Sequence, residues 1–171
     1  MNNYRIGKTV VGDLETIYQL FEQAITYQKA NNYVGWNAYD KDFIQREIQE
    51  GLHYKITADG QILAVFSTCL NDEFIWREKE TGNAFYLHRV ITNPAFKGQR
   101  QFEKVLNWAI DYAGQQGRVY IRIDTWLNNP KIIDFYKGYG FQFVEAFTTD
   151  DTDKLPVQHR NLSLALLELK C

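Results

Sequence analysis

Apolar residues recur along this chain with two different spacings, and the spacing predicts where helices and strands lie. In four segments they return every three or four positions, which is the repeat of one face of an α-helix. These predicted helices are 14–28, 40–51, 102–114 and 130–138. In seven other segments, apolar and polar residues alternate or short apolar runs occur, as in β-strands. These predicted strands are 4–11, 54–57, 61–70, 85–92, 119–125, 141–147 and 162–169.

The order of these elements predicts a mixed α/β fold (α+β) with helices on both faces of one sheet. Asp59-Gly60 separates two strands and predicts a tight hairpin. Asp40 is a predicted N-cap, and Gly140 is predicted to end the last helix in a left-handed conformation. No repeat or flexible linker divides the chain, so residues 1–171 are predicted to form a single domain.

Composition adds expectations about partners and location. Lys+Arg 19 nearly balance Asp+Glu 21, so we expect no cationic surface for nucleic acid. The apolar runs are too short for a membrane-spanning helix, and residues 1–5 lack the apolar core of a secretory signal. The two cysteines, Cys69 and Cys171, are predicted to be free structural or incidental thiols, which favours a reducing cytoplasm.

Two segments of the chain carry a recognisable pattern. The strand 85–92 leads through a short loop, 93–101, into a helix. Further along, Asn129 precedes Tyr136 by seven positions, and Phe141 follows soon after. In this order and spacing the two segments resemble the GNAT superfamily of acetyl-CoA-dependent N-acetyltransferases. The resemblance implies a mostly antiparallel sheet of six to seven strands with about four helices. It also implies acetyl transfer from acetyl-CoA, a co-substrate, to a primary amine of a small molecule, amino acid or peptide.

The resemblance assigns roles to two residues of the second segment. The Asn129 side chain is expected to hydrogen-bond near the pantetheine arm, and the Tyr136 hydroxyl to lie beside the thioester sulfur. A phenol with a pKa near ~10 stays protonated at neutral pH and can donate a proton to the departing thiolate. Both residues are therefore candidate cofactor contacts, and Tyr136 is also a candidate catalytic residue. The alternative is that Tyr136 is simply an aromatic core residue.

The loop before the third predicted helix matches the family's phosphate-binding loop only in part. A helix N-terminus presents unpaired N–H groups to an anion, here the pyrophosphate of coenzyme A. The candidate contacts are Lys97, Gly98, Gln99, Arg100, Gln101 and Phe102. Arg100 and Phe102 stand where the family pattern has small residues, which let the backbone approach a phosphate. Either Arg100 supplies a charged contact instead, or coenzyme A binds weakly, or the site no longer binds it.

The strand before this loop supplies further candidates. By resemblance, backbone N–H groups of Val90, Ile91 and Thr92 pair with the pantetheine and polarise the thioester carbonyl, as main-chain donors do in acyl transfer. His88 lies two residues before Val90, so plain strand alternation places both side chains on one face, towards the cofactor.

The acceptor amine needs a base and a pocket, and the sequence offers candidates for both. His88, with an imidazole pKa near ~6.5, is the candidate base, and a hydrogen-bonded structural histidine is the alternative. Asp124 is expected to orient His88 or to bind a cationic substrate, or else to cap the turn that follows it. Trp36 and Tyr39 are candidate substrate contacts, although packing against the sheet explains them equally well.

Two classes of function therefore remain open. The first is an N-acetyltransferase, and the second is a GNAT-like domain that binds coenzyme A or another ligand without turnover. A metal site is not expected, because the histidines His53, His88 and His159 are scattered. The apolar strand 162–169 is predicted to be a possible sheet edge that pairs with a second copy in a homodimer.

Overall fold

The computed structural model describes residues 4–155 and 159–171. Within them the strands are β1 (Arg5–Lys8), β2 (His53–Ala58), β3 (Gln61–Cys69), β4 (Ala84–Thr92), β5 (Tyr120–Trp126), β6 (Gln142–Thr148) and β7 (Ser163–Lys170). The helices are α1 (Leu14–Ala30), α2 (Lys41–Gln49), α3 (Glu73–Trp76), α4 (Gln101–Gln115) and α5 (Pro130–Gly138). Every predicted element is present, and the short α3 is an addition. Residues 1–3, part of the segment expected to lack a secretory signal, lie outside the described residues.

One sheet contains all the described strands, in the order β1-β2-β3-β4-β5-β7-β6. β4 and β5 run parallel, whereas the other neighbouring pairs are antiparallel. The predicted mixed and mostly antiparallel sheet is therefore confirmed. Asp59 and Gly60 form the predicted turn between β2 and β3, with φ angles of 50° and 74°. Across the described ranges, no helix combines the length and apolar character that crossing a membrane requires.

The final strand does not lie at an edge, so that prediction was wrong. β7 lies between β5 and β6 and pairs with both. Its residues Leu164 and Leu166 are buried in one core, and Leu167 is buried in the core on the opposite face. Its apolar character therefore reflects burial on two faces in the middle of a sheet rather than an unpaired edge. The edges of the described sheet are β1 and β6.

Helices cover both faces of the sheet, as predicted. On one face, α1 and α2 bury Ile17, Phe21 and Ile44 against β3 and β4. On the other face, α4 buries Val105 and Ala109, and α5 packs beside it. The short α3 adds to the first layer, next to β4 and β7. The central strands β4 and β5 are therefore held from both sides, which fixes the residues that they carry.

Candidate active site

The two central parallel strands separate after a short paired region. β4 and β5 pair over Ala84–Tyr86 and Tyr120–Arg122. Beyond this point β4 follows β3 as far as Thr92, and β5 follows β7 as far as Trp126. The facing edge of β4 over 87–92 therefore has no strand partner in β5, and its backbone polar groups are open to a ligand.

A cavity of about 1810 Å³ opens from this gap. It is bounded by the connection between α1 and α2, by β4 and β5, and by the facing ends of α4 and α5. Of the predicted site residues, all but Gln99 line it: Trp36, Tyr39, His88, Val90, Ile91, Thr92, Lys97, Gly98, Arg100, Gln101, Phe102, Asp124, Asn129 and Tyr136. The fold therefore brings three separate segments of the chain, 36–39, 88–102 and 124–136, together around one cavity.

Because of a bulge in β4, the side chains of His88 and Val90 lie on opposite faces of the sheet. Arg89 and Val90 together lie opposite the single residue Phe66 of β3, and Arg89 has a positive φ of 49°. Val90 packs with the core under α4, whereas His88 contacts Cys69 on the opposite face. The prediction that His88 and Val90 share a face was therefore wrong, because plain alternation fails across a bulge.

His88 stands at the centre of a polar cluster. Its Nδ1 lies 3.2 Å from Asp124 Oδ1, and its Nε2 lies 3.4 Å from Asp72 Oδ2. Cys69 Sγ is 3.4 Å from the same Nε2. The His88 side chain is 16% exposed, so water screens these contacts only weakly. The Nδ1 contact brings Asp124 next to the imidazole, and its role in orienting His88 stays a prediction.

The cluster favours a protonated imidazole. Burial opposes the charge on His88, but the adjacent Cys69 sulfur and the Asp124 carboxylate outweigh it and raise the pKa of His88 well above its usual range. Burial also raises the pKa of Asp72, to about 6. The pKa of Asp124 is lowered, because the His88 contact outweighs the effect of burial. His88 therefore becomes a proton acceptor only at a higher pH than a free imidazole does.

Sequence reasoning missed Asp72. Its Oδ1 caps α3 by accepting from the Ile75 N–H at 3.4 Å, and its own N–H donates to Glu80 Oε2 at 2.9 Å. An Asp before a short apolar run is an N-cap signal, so α3 was detectable. The contact between Asp72 and His88 depends on how the segment after β3 packs, so the sequence alone could not predict it.

Asp72, His88 and Asp124 also present potential metal-ligand atoms within 4.8 Å of one another. The sequence spacing did not indicate this group. Because His88 turns a different ring nitrogen towards each carboxylate, ion pairing with a protonated imidazole accounts for the arrangement.

The loop between β4 and α4 contains the predicted phosphate contacts. Gly98 has a φ of 85°, and Arg100, the N-cap of α4, has a φ of 53°. The Arg100 side chain is 73% exposed and pairs with Glu103 at 2.6 Å. Gln101 turns inward, where its amide donates to the Phe96 carbonyl. The first N–H groups of α4 have no acceptor within the helix, so they can donate to an anion in the loop.

Phe102 does not enter this loop. The side chain is 4% exposed, and its ring packs against Phe135, Tyr136 and Tyr139 at centroid distances of 5.3, 5.2 and 4.9 Å. The large residue at this position therefore joins α4 to α5. Of the two departures from the family pattern, only Arg100 leaves its side chain exposed beside the loop.

Tyr136 belongs to α5 and lines the cavity from the face opposite His88. Burial, together with the negative charge of Asp124, raises its pKa above the usual range. The phenol therefore stays protonated throughout the neutral range. Because a thiol has a pKa near ~8.5, a thiolate is less basic than this phenolate. Tyr136 is thus better suited to donating a hydrogen bond to a leaving thiolate than to losing its proton completely.

Asn129 caps α5. Its Oδ1 accepts from the Ile132 N–H at 3.3 Å, and its Nδ2 donates to the Val34 carbonyl at 3.0 Å. The side chain therefore ties the connection between α1 and α2 to the start of α5. A contact between its amide and the pantetheine remains a prediction, for which the second N–H of Nδ2 is suited.

Trp36 and Tyr39 pack against neighbouring aromatic residues and also line the cavity, so neither of the two roles predicted for them, packing and substrate contact, is excluded. The Tyr39 ring stacks on Phe21 at a centroid distance of 4.9 Å, and its hydroxyl donates to Glu22 Oε1 at 2.9 Å. The Trp36 ring packs edge-on against Trp126 at 5.3 Å. Both aromatic side chains are thus packed in place and also line the cavity.

Arg89 is a further cavity residue that sequence reasoning missed. Its guanidinium pairs with Glu47, which also accepts from Ser67 Oγ at 2.7 Å, and it lies over the Phe43 ring at 4.9 Å. Burial and the Arg89 charge lower the pKa of His159 to about 4. Arg89 lines the cavity because of the β4 bulge, and the local sequence does not predict this bulge.

Comparison with known proteins identifies the family. A sequence profile of the Acetyltransferase (GNAT) family matches residues 14–141. The chain belongs to the GNAT acetyltransferase family. An uncharacterized N-acetyltransferase of Methanocaldococcus jannaschii is 23% identical to this GNAT chain in an alignment of 151 positions that covers 85% of this chain. The chain spans 64% of the length of that relative.

Solved structures show the same GNAT fold. A GNAT-family acetyltransferase from Listeria monocytogenes has a TM-score of 0.76 at 18% identity, over 98% of this GNAT chain and 95% of its own. The Salmonella typhimurium protein yncA, solved with its cofactor acetyl-CoA, has a TM-score of 0.65 at 18% identity, over 98% and 94% of the two chains. At these identities the likeness is one of fold.

Proposed function

We propose that this protein transfers an acetyl group from acetyl-CoA to a primary amine of a small molecule, an amino acid or a peptide. The observation that carries the proposal is the gap between β4 and β5, where an unpaired strand edge, Tyr136 and the His88–Asp124 pair all border one cavity. A thioester in this gap has backbone donors on one side and a phenol on the other. The structure of yncA with acetyl-CoA supports the same cofactor for this fold.

Coenzyme A is placed by two sets of backbone donors. The first N–H groups of α4, with Lys97 and Arg100 beside them, suit the pyrophosphate. The open edge of β4 at Val90, Ile91 and Thr92 suits the pantetheine amides and the thioester carbonyl. An extended pantetheine arm that hydrogen-bonds along this edge of β4 replaces the missing neighbouring strand.

The chemistry then requires two proton movements. The amine nitrogen attacks the acetyl carbon, the bond from that carbon to the sulfur of coenzyme A breaks, and Tyr136 donates a hydrogen bond to the departing sulfur. His88, in its neutral form and oriented by Asp124, takes the proton that the amine loses. The thiolate is protonated from solvent or from His88. Trp36 and Tyr39 shape the entrance for the acceptor.

The alternative function is binding of coenzyme A or another ligand without turnover, and Arg100 is the observation that favours it. Its side chain adds bulk and charge beside a loop that usually needs small residues. Phe102 no longer supports this alternative, because its ring is buried between α4 and α5. We also propose that the protein is cytoplasmic and that it acts without a nucleic-acid partner.

Calorimetric titration with acetyl-CoA, followed by thiol release on a panel of amines, tests the proposed function. We expect saturable binding and thiol release that depends on one class of amine. Binding without thiol release on any amine would favour the alternative. Failure to bind acetyl-CoA at all would contradict both.

Arg100→Ala is expected to weaken binding of coenzyme A about fivefold, because an exposed charge next to a phosphate contributes roughly 1 kcal/mol. Alanine keeps a Cβ, so the strain of the left-handed backbone stays the same and only the charge is lost. The measurement is calorimetry at low and high salt, where the difference should shrink as salt rises. Arg5→Ala, on the distant edge strand β1, is the charge-matched control. Equal affinities in the two variants would exclude Arg100 as a phosphate contact.

A further inference from the structure

Arg89 is a largely buried cation on the side of the cavity next to α2. Its side chain is 13% exposed and lines the cavity, and its guanidinium lies over the Phe43 ring at 4.9 Å. Because of the bulge in β4, Arg89 extends towards α2, whereas Val90 packs under α4. Burying a charge is costly unless the charged group is paired and hydrogen-bonded. The partners of its five N–H donors therefore decide what Arg89 can do.

Glu47 satisfies only part of the guanidinium. It accepts from Nη2 of Arg89, and its second carboxylate oxygen accepts from Ser67 Oγ at 2.7 Å. Within residues 4–155 and 159–171, Arg89 Nε is buried without a hydrogen-bond partner. A guanidinium pairs best with a carboxylate through two parallel N–H donors, and Glu47 accepts from one nitrogen. Glu47 therefore orients the guanidinium and leaves part of its hydrogen-bonding capacity to a ligand.

The neighbouring titratable groups on this side of the cavity are engaged elsewhere or uncharged. Asp40 caps α2 through its own Oδ1, and Asp153 pairs with Arg160 at 3.3 Å. Burial and the Arg89 charge lower the pKa of His159 to about 4, so this imidazole is neutral at pH 7. These groups therefore leave the remaining donors of Arg89 to an anion in the cavity.

The negatively charged part of the same cavity lies at His88. Asp124 Oδ1 and Asp72 Oδ2 are 3.2 and 3.4 Å from its two ring nitrogens. Burial would raise the pKa of Asp124, but the His88 contact outweighs burial, and the charge of Arg89 lowers this pKa further. Arg89 is therefore close enough to Asp124 to act on it. A cation and two carboxylates arranged in this way are complementary to a ligand that carries both an ammonium and a carboxylate.

We propose that the acceptor is an amino acid, whose carboxylate is bound by Arg89 while its amine faces the His88–Asp124 pair. This inference rests on the proposed function, because it names the acceptor of the same reaction at the same site. The amino acid enters from the side of α2, and the pantetheine lies on the side of α4. Arg89 directly precedes Val90, a candidate donor to the thioester carbonyl, so acceptor and thioester meet at one stretch of β4. The bonds formed and broken are those of the proposed reaction, and the product is an N-acetyl amino acid.

The amide of an amino acid lacks the charge that Arg89 recognises. Its carbonyl oxygen still accepts a hydrogen bond, but its N–H₂ group is a donor and cannot pair with the guanidinium. A site built to bind one polar group rejects an analogue that lacks it, because buried donors are then left without partners. The proposal therefore predicts discrimination between an amino acid and its amide.

Thiol release on matched pairs of acceptors tests the proposal. The full-length protein with acetyl-CoA is given each standard amino acid and, separately, the corresponding amide, which keeps the amine and the side chain. We expect kcat/KM for the best amino acid to exceed that for its amide about 10²-fold, because the carboxylate makes charge-assisted hydrogen bonds. Comparing this ratio between protein variants cancels the different amine pKa values of acid and amide.

Arg89→Gln should remove the preference by lowering kcat/KM for the amino acid about 10²-fold, with little change for the amide. Arg89→Lys, which keeps the charge without the fork of donors, should restore part of it. Arg46→Gln is the control, because Arg46 also lies over the Phe43 ring, at 5.6 Å, but is exposed. Combining Arg89→Gln with Glu47→Gln removes both charges of the pair and keeps the test valid if the single variant does not fold.

Every other result counts against the proposal. A merely structural ion pair between Arg89 and Glu47 predicts equal losses for the amino acid and its amide in Arg89→Gln. That result, or equal kcat/KM for acids and amides in the wild type, would overturn the proposal and leave the proposed function intact. The same loss of preference in Arg46→Gln, or thiol release only on amines without a carboxylate, would do so too. Absence of thiol release on every amine would overturn both.

Discussion

Asp124→Asn is expected to lower kcat/KM for the amine about 10³-fold while acetyl-CoA binds with nearly the same affinity. Asp124 Oδ1 lies 3.2 Å from His88 Nδ1, and this ion-pair contact leaves Nε2 to take the proton of the amine. An Asn at this position can present its N–H₂ group to Nδ1 and so favour the wrong tautomer, an effect worth up to about 10⁴-fold in other enzymes. Steady-state kinetics with one amine, together with calorimetry for acetyl-CoA, measure the two quantities.

The pH dependence distinguishes this role from a structural one. Asp124 helps to raise the pKa of His88, so kcat/KM for the amine should rise with pH as His88 loses its proton. Removing the carboxylate lowers that pKa, and the acid limb of the profile should move to lower pH. Using one amine for every variant keeps the ionisation of the acceptor the same.

Asp72→Asn is the matched control for Asp124→Asn. It removes a carboxylate that lies 3.4 Å from Nε2 instead of Nδ1, and Asn can still cap α3. We expect it to shift the acid limb in the same direction with a much smaller loss of rate. Equal losses in both variants would show that total charge matters and that orientation of His88 does not. An unchanged profile in Asp124→Asn would remove His88 from the proton transfer.

Tyr136→Phe is expected to lower kcat about 10²-fold, with little change in KM for either substrate. The raised pKa of Tyr136 keeps its hydroxyl protonated, so it can donate a hydrogen bond to the sulfur as negative charge develops there. Loss of one such donor usually costs about 10²- to 10³-fold in kcat. The lower end is expected because the donor is a weak acid. The measurement is release of coenzyme A thiol in a single turnover, which separates the chemical step from product release.

Tyr139→Phe is the control for this change. Tyr139 is the residue that follows α5, and its ring also packs against Phe102. The proposed reaction gives its hydroxyl no role, so the rate of Tyr139→Phe should equal that of the wild type. Both variants should unfold at nearly the same temperature as the wild type, since neither removes buried ring area. A normal rate in Tyr136→Phe would leave Tyr136 as a core residue only.

Much of the fold, and most of the residues that line the cavity, could be predicted from the sequence. Within residues 4–155 and 159–171, periodic patterns located every strand and four of the five helices, because those elements carry regular apolar faces over many residues. The spacing of Asn129, Tyr136 and Phe141 indicated the family, which the profile match over residues 14–141 confirms. The strand predicted at a sheet edge was misplaced, because a strand buried on both faces and an apolar edge have similar sequences.

The sequence alone determined the order of the elements, the GNAT resemblance and the residue types available for thioester chemistry. These features depend on local periodicity and on short spacings, which can be recognised without knowing which segments pack against each other. The tertiary structure decided that Asp72 and Cys69 meet His88, that Phe102 turns into the core, and that the β4 bulge sends His88 and Val90 to opposite faces. The physical reason is that a bulge and a contact between strands depend on the pairing of distant segments, and no repeat within one segment records that pairing.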